Sequence, residues 1–361
     1  MIGERLMQLR DRQVVRAMTT TERSDGHSES WAERLRLDRL SGLYALFVLV
    51  VVFSIVRPES FATTTNLRVI AAEAAITALV TLGLTIALAT DAFDISIGAT
   101  MTWGIVFVAW LQSAHGVSPA VAILLTVCSG ALIGLVNAFI VVRLQVTPII
   151  ATMGTSAVIT ALAFWRADGR SIVTGIPDGF KQVGRADILG VPALVVYLAV
   201  IAVALWYLME HTPLGRFMYA TGGNESAARL AGIRVGRMQT VAFLISGTIA
   251  AFAGVLLTAK VGSSGINTGA PYLLPAFAGA FLGSTQIKRG RFNILGSLLA
   301  VYLLATGVKG LQLIWPSASW VKDFFTGCAL IIAVSIAARA ARGGTKRLRR
   351  TNNGGTNVQP E

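Results

Sequence analysis

Two short polar stretches hold the side chains best placed to do chemistry. The first is Thr90-Asp91-Ala92-Phe93-Asp94-Ile95-Ser96-Ile97-Gly98, which interrupts two apolar runs. Carboxylates flanked by lipid-soluble segments are costly unless they face water, a partner or a cavity. If the chain crosses a bilayer here as a broken helix, Asp94 and Ser96 line a path for a hydroxylated solute. If it forms a loop at the membrane surface, Asp94 caps the next helix, because its carboxylate accepts free backbone N–H groups. Both readings stay open. Asn137 lies beside Gly130 and Gly134, a Gly-x-x-x-Gly spacing that lets helices approach closely. Thr147, Thr152 and Thr155 form a polar, small-residue face with Pro148 and Gly154. These four side chains join Asp94 and Ser96 as candidates for the path, with helix packing as the competing reading.

The second stretch runs from Glu210 to Gln239 and is polar between apolar neighbours. Such a segment must face water or a partner. Thr221-Gly222-Gly223-Asn224 reads as a turn and helix start. Asn224 can cap, Glu225 complements the helix dipole, and Gly232 can terminate. The resulting helix, Glu225–Ala231, presents Ala227, Ala228 and Ala231 beside Leu230. It is too short to be stable alone in water, so it needs a groove, on a partner or on the chain's own end.

The elements that hold these stretches are membrane helices. Of the 361 residues, 54% are hydrophobic and 14% charged, against about 25% charged in soluble domains. Apolar runs such as Leu43–Val56, Ala193–Leu208 and Phe324–Ala338 approach the roughly 20 residues that cross a hydrocarbon core. The pattern predicts an all-α integral membrane protein with about ten transmembrane helices. They lie near residues 40–56, 69–90, 99–113, 120–142, 149–165, 191–209, 241–259, 271–283, 292–314 and 324–338. The second, third and eighth are open to being broken or re-entrant. Residues 1–39 read as an N-terminal cytoplasmic tail, 40–338 as the transmembrane domain and 339–361 as a basic disordered tail. Residues 166–191 read as a polar connection.

An even number of spans puts both termini on one side. Placing the tails and the 210–239 loop in the cytoplasm collects most of the 31 Lys and Arg residues there. The net charge of +13 therefore reads as topology and contact with anionic lipid, not as nucleic-acid binding. Cys128 and Cys328 fall in apolar spans and read as small buried hydrophobes. His27, His115 and His211 stand apart, so no metal set is visible. No phosphate-binding Gly-x-x-x-x-Gly-Lys-Ser/Thr loop and no Ser/His/Asp grouping occurs, which points away from an enzyme.

The loop from Gly215 to Ile233 closely resembles the signature of ribose-type ABC-transporter permeases. Asp94-Ile95-Ser96-Ile97-Gly98 resembles their Asp-Leu-Ser-Val-Gly motif. Thr147-Pro148 with Ala151-Thr152 and Gly154-Thr155 resembles their motif at the fifth span. The resemblance covers about residues 40–338. It implies an importer permease of the cytoplasmic membrane for a monosaccharide or polyol, working by alternating access as a homodimer or heterodimer. It also implies a pair of cytoplasmic ABC ATPase subunits that bind ATP and Mg, and an extracytoplasmic solute-binding protein. No cofactor is implied in this chain. The loop residues implied in ATPase coupling are Gly215, Arg216, Gly222, Gly223, Asn224, Glu225, Ala227, Ala228, Arg229 and Gly232. Alternatives are an ABC permease for a nucleoside or branched-chain amino acid, or an ATP-independent carrier using Asp91 and Asp94. The chain departs from the family where Asp91-Ala92-Phe93 stands in place of a Gly-Gly pair, and in Phe281–Arg291, which has fewer glycines.

Overall fold

The computed structural model describes residues 37–288 and 290–352, with side chains described for 41–288 and 290–337. In chain order the helices are α1 (Leu37–Val56), α2 (Pro58–Phe61), α3 (Thr64–Leu88), α4 (Ile97–His115), α5 (Pro119–Ala138), α6 (Pro148–Arg166) and α7 (Asp178–Arg185). After a two-stranded hairpin come α8 (Ala193–His211), α9 (Pro213–Gly223), α10 (Glu225–Leu230), α11 (Val235–Val261), α12 (Leu273–Ser284), α13 (Ile294–Ile314) and α14 (Val321–Asn352). A π-helical turn, Phe139–Arg143, extends α5, and a 3₁₀ turn, Ala270–Tyr272, precedes α12. Among the described residues, seven helices are long and apolar enough to cross a membrane: α3, α4, α5 with its π turn, α6, α8, α11 and α13. Ser41–Val56 and Ala270–Ser284 are apolar but shorter.

Helices α3 and α11 form the centre. From Ala74 to Leu88 nearly every residue of α3 is buried, as expected of a helix that is apolar all round. In contrast, α5 and α6 bury one face and leave large apolar side chains such as Leu132, Ile150 and Val158 exposed. Small residues bring α5 onto α11. A side chain at Gly134 would collide with the Phe243 carbonyl, and one at Gly130 would meet the Gly247 carbonyl oxygen at 2.5 Å. Gly104 and Gly254 bring α4 equally close to α11. The Gly-x-x-x-Gly reading therefore describes a seam in which the backbones of α5 and α11 touch.

Three expectations need correction. Residues 166–191 are not merely a connection. They contain α7, whose Phe180 is fully buried and whose Gly184 lies against the backbone of Lys260. Arg185 donates to the carbonyls of Lys260 and Val261 at 2.8 and 2.7 Å. A guanidinium thus meets the free carbonyls at the C-terminal end of α11, where positive charge is favoured. The hairpin pairs Asp187–Ile188 with Val191–Pro192, and its turn residues Leu189 and Gly190 both have positive φ, the backbone of a tight primed turn. Second, Cys128 and Cys328 are exposed, on outward apolar faces of α5 and α14, not buried. Third, helix α14 continues through residues 339–352. Alanines and arginines there favour helix, and only Gly343-Gly344 oppose it. The tail of residues 1–39 lies outside the described residues except for its last three, which open α1, and residues 353–361 also lie outside them.

The seam predicts a sharp contrast between two glycines. Gly134→Val destabilises the protein by about 2 kcal/mol or more, because two backbones must part. Gly154→Ala in α6, which meets nothing within 4 Å, changes stability by less than about 0.5 kcal/mol. Thermal unfolding in detergent measures both.

Candidate functional site

The break between α3 and α4 is held by a buried polar network. Both oxygens of the Asp94 carboxylate accept hydrogen bonds. Oδ1 receives the Ser96 hydroxyl at 2.6 Å and the Ser96 backbone N–H at 3.1 Å. Oδ2 receives the hydroxyl of Ser246, from α11, at 2.6 Å. The Asn137 amide donates to the Ser96 hydroxyl at 2.7 Å, and its carbonyl accepts from Thr155 at 2.6 Å. Thr152 accepts from the Ile95 N–H at 3.1 Å, and its hydroxyl proton is shared between the Pro148 carbonyl at 2.8 Å and the Phe93 carbonyl at 3.2 Å. One connected set of bonds therefore joins the break to α5, α6 and α11.

Five of the six candidate path residues are thus brought together: Asp94, Ser96, Asn137, Thr152 and Thr155. Thr147 is not among them. It is exposed at the start of α6, where its side chain makes no capping bond. Asp94, Ser96, Asn137 and Thr152 are each 0–1% exposed, and Thr155 is half-buried. Asp94 does not cap α4 through the free N–H groups of its first turn; it folds back onto Ser96, the residue at the cap position. Ser246 was missed in the sequence, because a single serine in an apolar helix carries no spacing signal.

The 210–239 segment forms the second part of the site. Thr212 caps α9 by accepting from the Gly215 N–H, and Asn224 caps α10 by accepting from the Ala227 N–H at 3.0 Å. Gly215 and Gly222 are contact points. A side chain at Gly215 would strike the end of α8, and one at Gly222 would strike the Ala89 carbonyl at the break. Ala228 is buried, so α10 lies in a groove of its own chain. Its other face is open. Arg216, Gly223, Asn224, Glu225, Ala227 and Arg229 are exposed, as are Phe217 and Leu230, the latter 92% exposed. Gly232, with φ of 82°, ends the unit in the left-handed conformation that glycine accepts freely. Leu230 was noted beside the alanines but not among the contact candidates; its exposure makes it the most protruding apolar group of the segment.

Helix α9 is also tied to the other break in the chain, between α12 and α13. The Arg291 guanidinium lies 4.0 Å from the centre of the Tyr219 ring of α9, and beside it Lys288 pairs with Glu210 at the end of α8. Burial, and then the charge of Glu210, push the Tyr219 phenol well above its ordinary pKa. Asp91 sits on the first break with φ of 58°, the conformation a glycine takes without strain and an aspartate tolerates. Burial, and then the nearby Glu225 carboxylate, raise its pKa. No group of His, Cys, Asp and Glu able to hold a metal ion occurs among the described residues.

A model of the "branched-chain amino acid transport system / permease component" family matches residues 66–334. The chain belongs to this permease family. It is 34% identical over 299 residues to the ribose import permease protein of Bacillus subtilis (strain 168), covering 82% of this chain and 92% of that one. It is 30% identical to the ribose import permease protein of Escherichia coli (strain K12), covering 81% and 92%. Against the D-allose transport system permease protein of the same strain it is 30% identical, covering 77% and 85%. No solved structure matches. The permease is a multi-pass membrane transport subunit, and both of its polar stretches lie within the matched region.

The Asp94 network predicts strong coupling between its members. Ser246→Ala removes one donor from a buried carboxylate and costs about 1–3 kcal/mol. Adding Asp94→Asn to it costs less than the sum of the two single changes, because the partners are in direct contact. Denaturation of the four proteins in detergent gives the coupling energy, and strict additivity would remove the bond from the account.

Proposed function

We propose that the permease is the membrane subunit of an ATP-driven importer for a monosaccharide or polyol, located in the cytoplasmic membrane. The observation that carries this reading is the similarity to ribose and allose import permeases over 82% and 77% of this chain. In this reading α1, α12 with its 3₁₀ turn, and α14 join the seven long apolar helices to make ten spans, with both termini in the cytoplasm. Two permease subunits enclose the path. ATP and Mg bind a separate pair of ATPase subunits, and a solute-binding protein docks on the opposite face.

The exposed ridge of Phe217, Gly223, Asn224, Ala227 and Leu230 is the surface the ATPase grips. Ala228 seats α10 on the permease itself, and Leu230 reaches the partner. Helix α9 touches both chain breaks, through Gly222 and Ala89 on one side and through Tyr219 and Arg291 on the other. A displacement of the ridge therefore reaches the ends of α3, α4, α12 and α13 together. The Asp94 network keeps the α3–α4 break in register with α5, α6 and α11 beside the path, and Thr155 is its member nearest an open face. Three of the roughly four acceptor positions of Asp94 are taken by the protein's own donors, which weighs against Asp94 as the ion site of an ATP-independent carrier.

Leu230→Asp tests this reading. The expected result is normal membrane insertion and unchanged thermal stability, with ATPase binding weakened about tenfold or more and solute-stimulated ATP hydrolysis reduced to match. Unchanged hydrolysis by the reconstituted complex would detach the ridge from coupling. Solute uptake that needs no ATP would overturn the importer reading as a whole.

A further inference from the structure

At the end of the bundle away from α9, helices α3, α11, α12, α13 and α14 surround a cavity of about 450 Å³. Its charged lining residues are Glu73, Lys260, Lys309 and Lys322, with Tyr272 and Gln312 among the polar ones. Glu73 and Lys322 are exposed, so the cavity reaches the surface, whereas Lys260 and Lys309 are half-buried. Lys309 lies five residues before the end of α13, roughly 8 Å inside it by helical rise. Glu73 and Lys309 are the charged groups that act on Lys260.

Three ammonium groups thus share a cavity with one carboxylate. None of the ion pairs among the described residues involves any of these four side chains. Among the described residues, no acceptor takes a hydrogen bond from the three lysine Nζ atoms. Uncompensated positive charge at membrane depth is costly, and ionisable groups there face partners or water-filled space. Lys322 can extend toward water along its own stem, but Lys260 and Lys309 point into the shared cavity. Their mutual repulsion is relieved by an anion placed between them. The cavity is of the size that holds small ligands. The Tyr272 ring and hydroxyl and the Gln312 amide add an apolar face and hydrogen-bonding groups of the kind that meet a polyol.

We propose that this cavity is an anion site for a phosphate- or carboxylate-bearing polyol, supplied as a free solute or as the headgroup of an acidic phospholipid. Its charge comes from Lys260, Lys309 and Lys322, and Glu73 limits the affinity by opposing the ligand. Binding here needs neither the ATPase nor the solute-binding protein, so it stands or falls separately from the import reading.

The test uses the full-length permease in phosphatidylcholine nanodiscs, titrated with glycerol 3-phosphate, with glycerol as the uncharged control. The expected result is saturable binding of glycerol 3-phosphate and none of glycerol. Lys309→Gln weakens it about tenfold or more, the scale of a lost charge-assisted hydrogen bond. Glu73→Gln strengthens it, a gain that a folding defect cannot produce. A second arm adds phosphatidylglycerol to the discs. Loss of glycerol 3-phosphate binding, with the lipid retained in native mass spectra, identifies the headgroup as the occupant; undiminished binding identifies a free solute. The proposal is overturned if glycerol 3-phosphate binds no better than glycerol and no phosphatidylglycerol is retained. It is also overturned if neither Lys309→Gln nor Glu73→Gln changes binding.

Discussion

A broken helix inside a membrane protein must find partners for the backbone groups it frees, since lipid offers none. Everything around the α3–α4 break follows from that constraint. The chain solves part of it locally: the N–H groups of Thr90, Asp91 and Ala92 turn back onto the carbonyls of Ala87 and Leu88. The rest comes from other helices. Thr152 of α6 serves both the Ile95 N–H and the Phe93 carbonyl. Asp94 takes the Ser96 N–H and anchors the break to Ser246 of α11. A buried carboxylate is tolerated here because three donors surround it, and removing any one leaves an expensive group behind.

The same geometry explains why small residues concentrate on α5 and α11. For Asn137 and Ser246 to reach the break together, the two helices must approach until their backbones touch, and only glycine at 130, 134 and 247 permits this. Packing and polar bonding are therefore one design. Asn137 is 1% exposed and its amide joins α5 to Ser96 at the break and to Thr155 of α6.

Much of this was legible in the sequence. Long apolar runs located the helices, because hydropathy and length are strong local signals. Asp94, Ser96, Asn137, Thr152 and Thr155 stood out because polar groups in apolar runs must have partners. Three things were not legible. Ser246 pairs across 152 residues of chain, and no local pattern encodes such a distance. Thr147 shares a motif with Thr152 and Thr155 but lies at the helix start, one turn short of the network. The α7 helix hides among glycines and charges, and its stability comes from Phe180 and Gly184 docking on other elements, not from its own propensity.

The placement of α9 gives the two breaks a common mechanical neighbour. The glycines of its signature are not equivalent. Gly215 and Gly222 are small because backbone lies against them, whereas Gly223 and Gly232 face open space. The first pair sets how tightly α9 can sit on α8 and on the end of α3. The second pair shapes the turn that leads into α10 and out of it. Gly222 seats α9 on the end of α3, and the Tyr219 ring of α9 packs under the Arg291 guanidinium, so α9 lies against both discontinuous regions. Discontinuous helices are where transporters change shape at low cost, because their backbone bonds are already supplied by side chains that can move with them. The short helix α10, seated by Ala228 and exposing Leu230, follows directly on α9 and so shares its neighbourhood with both discontinuous regions.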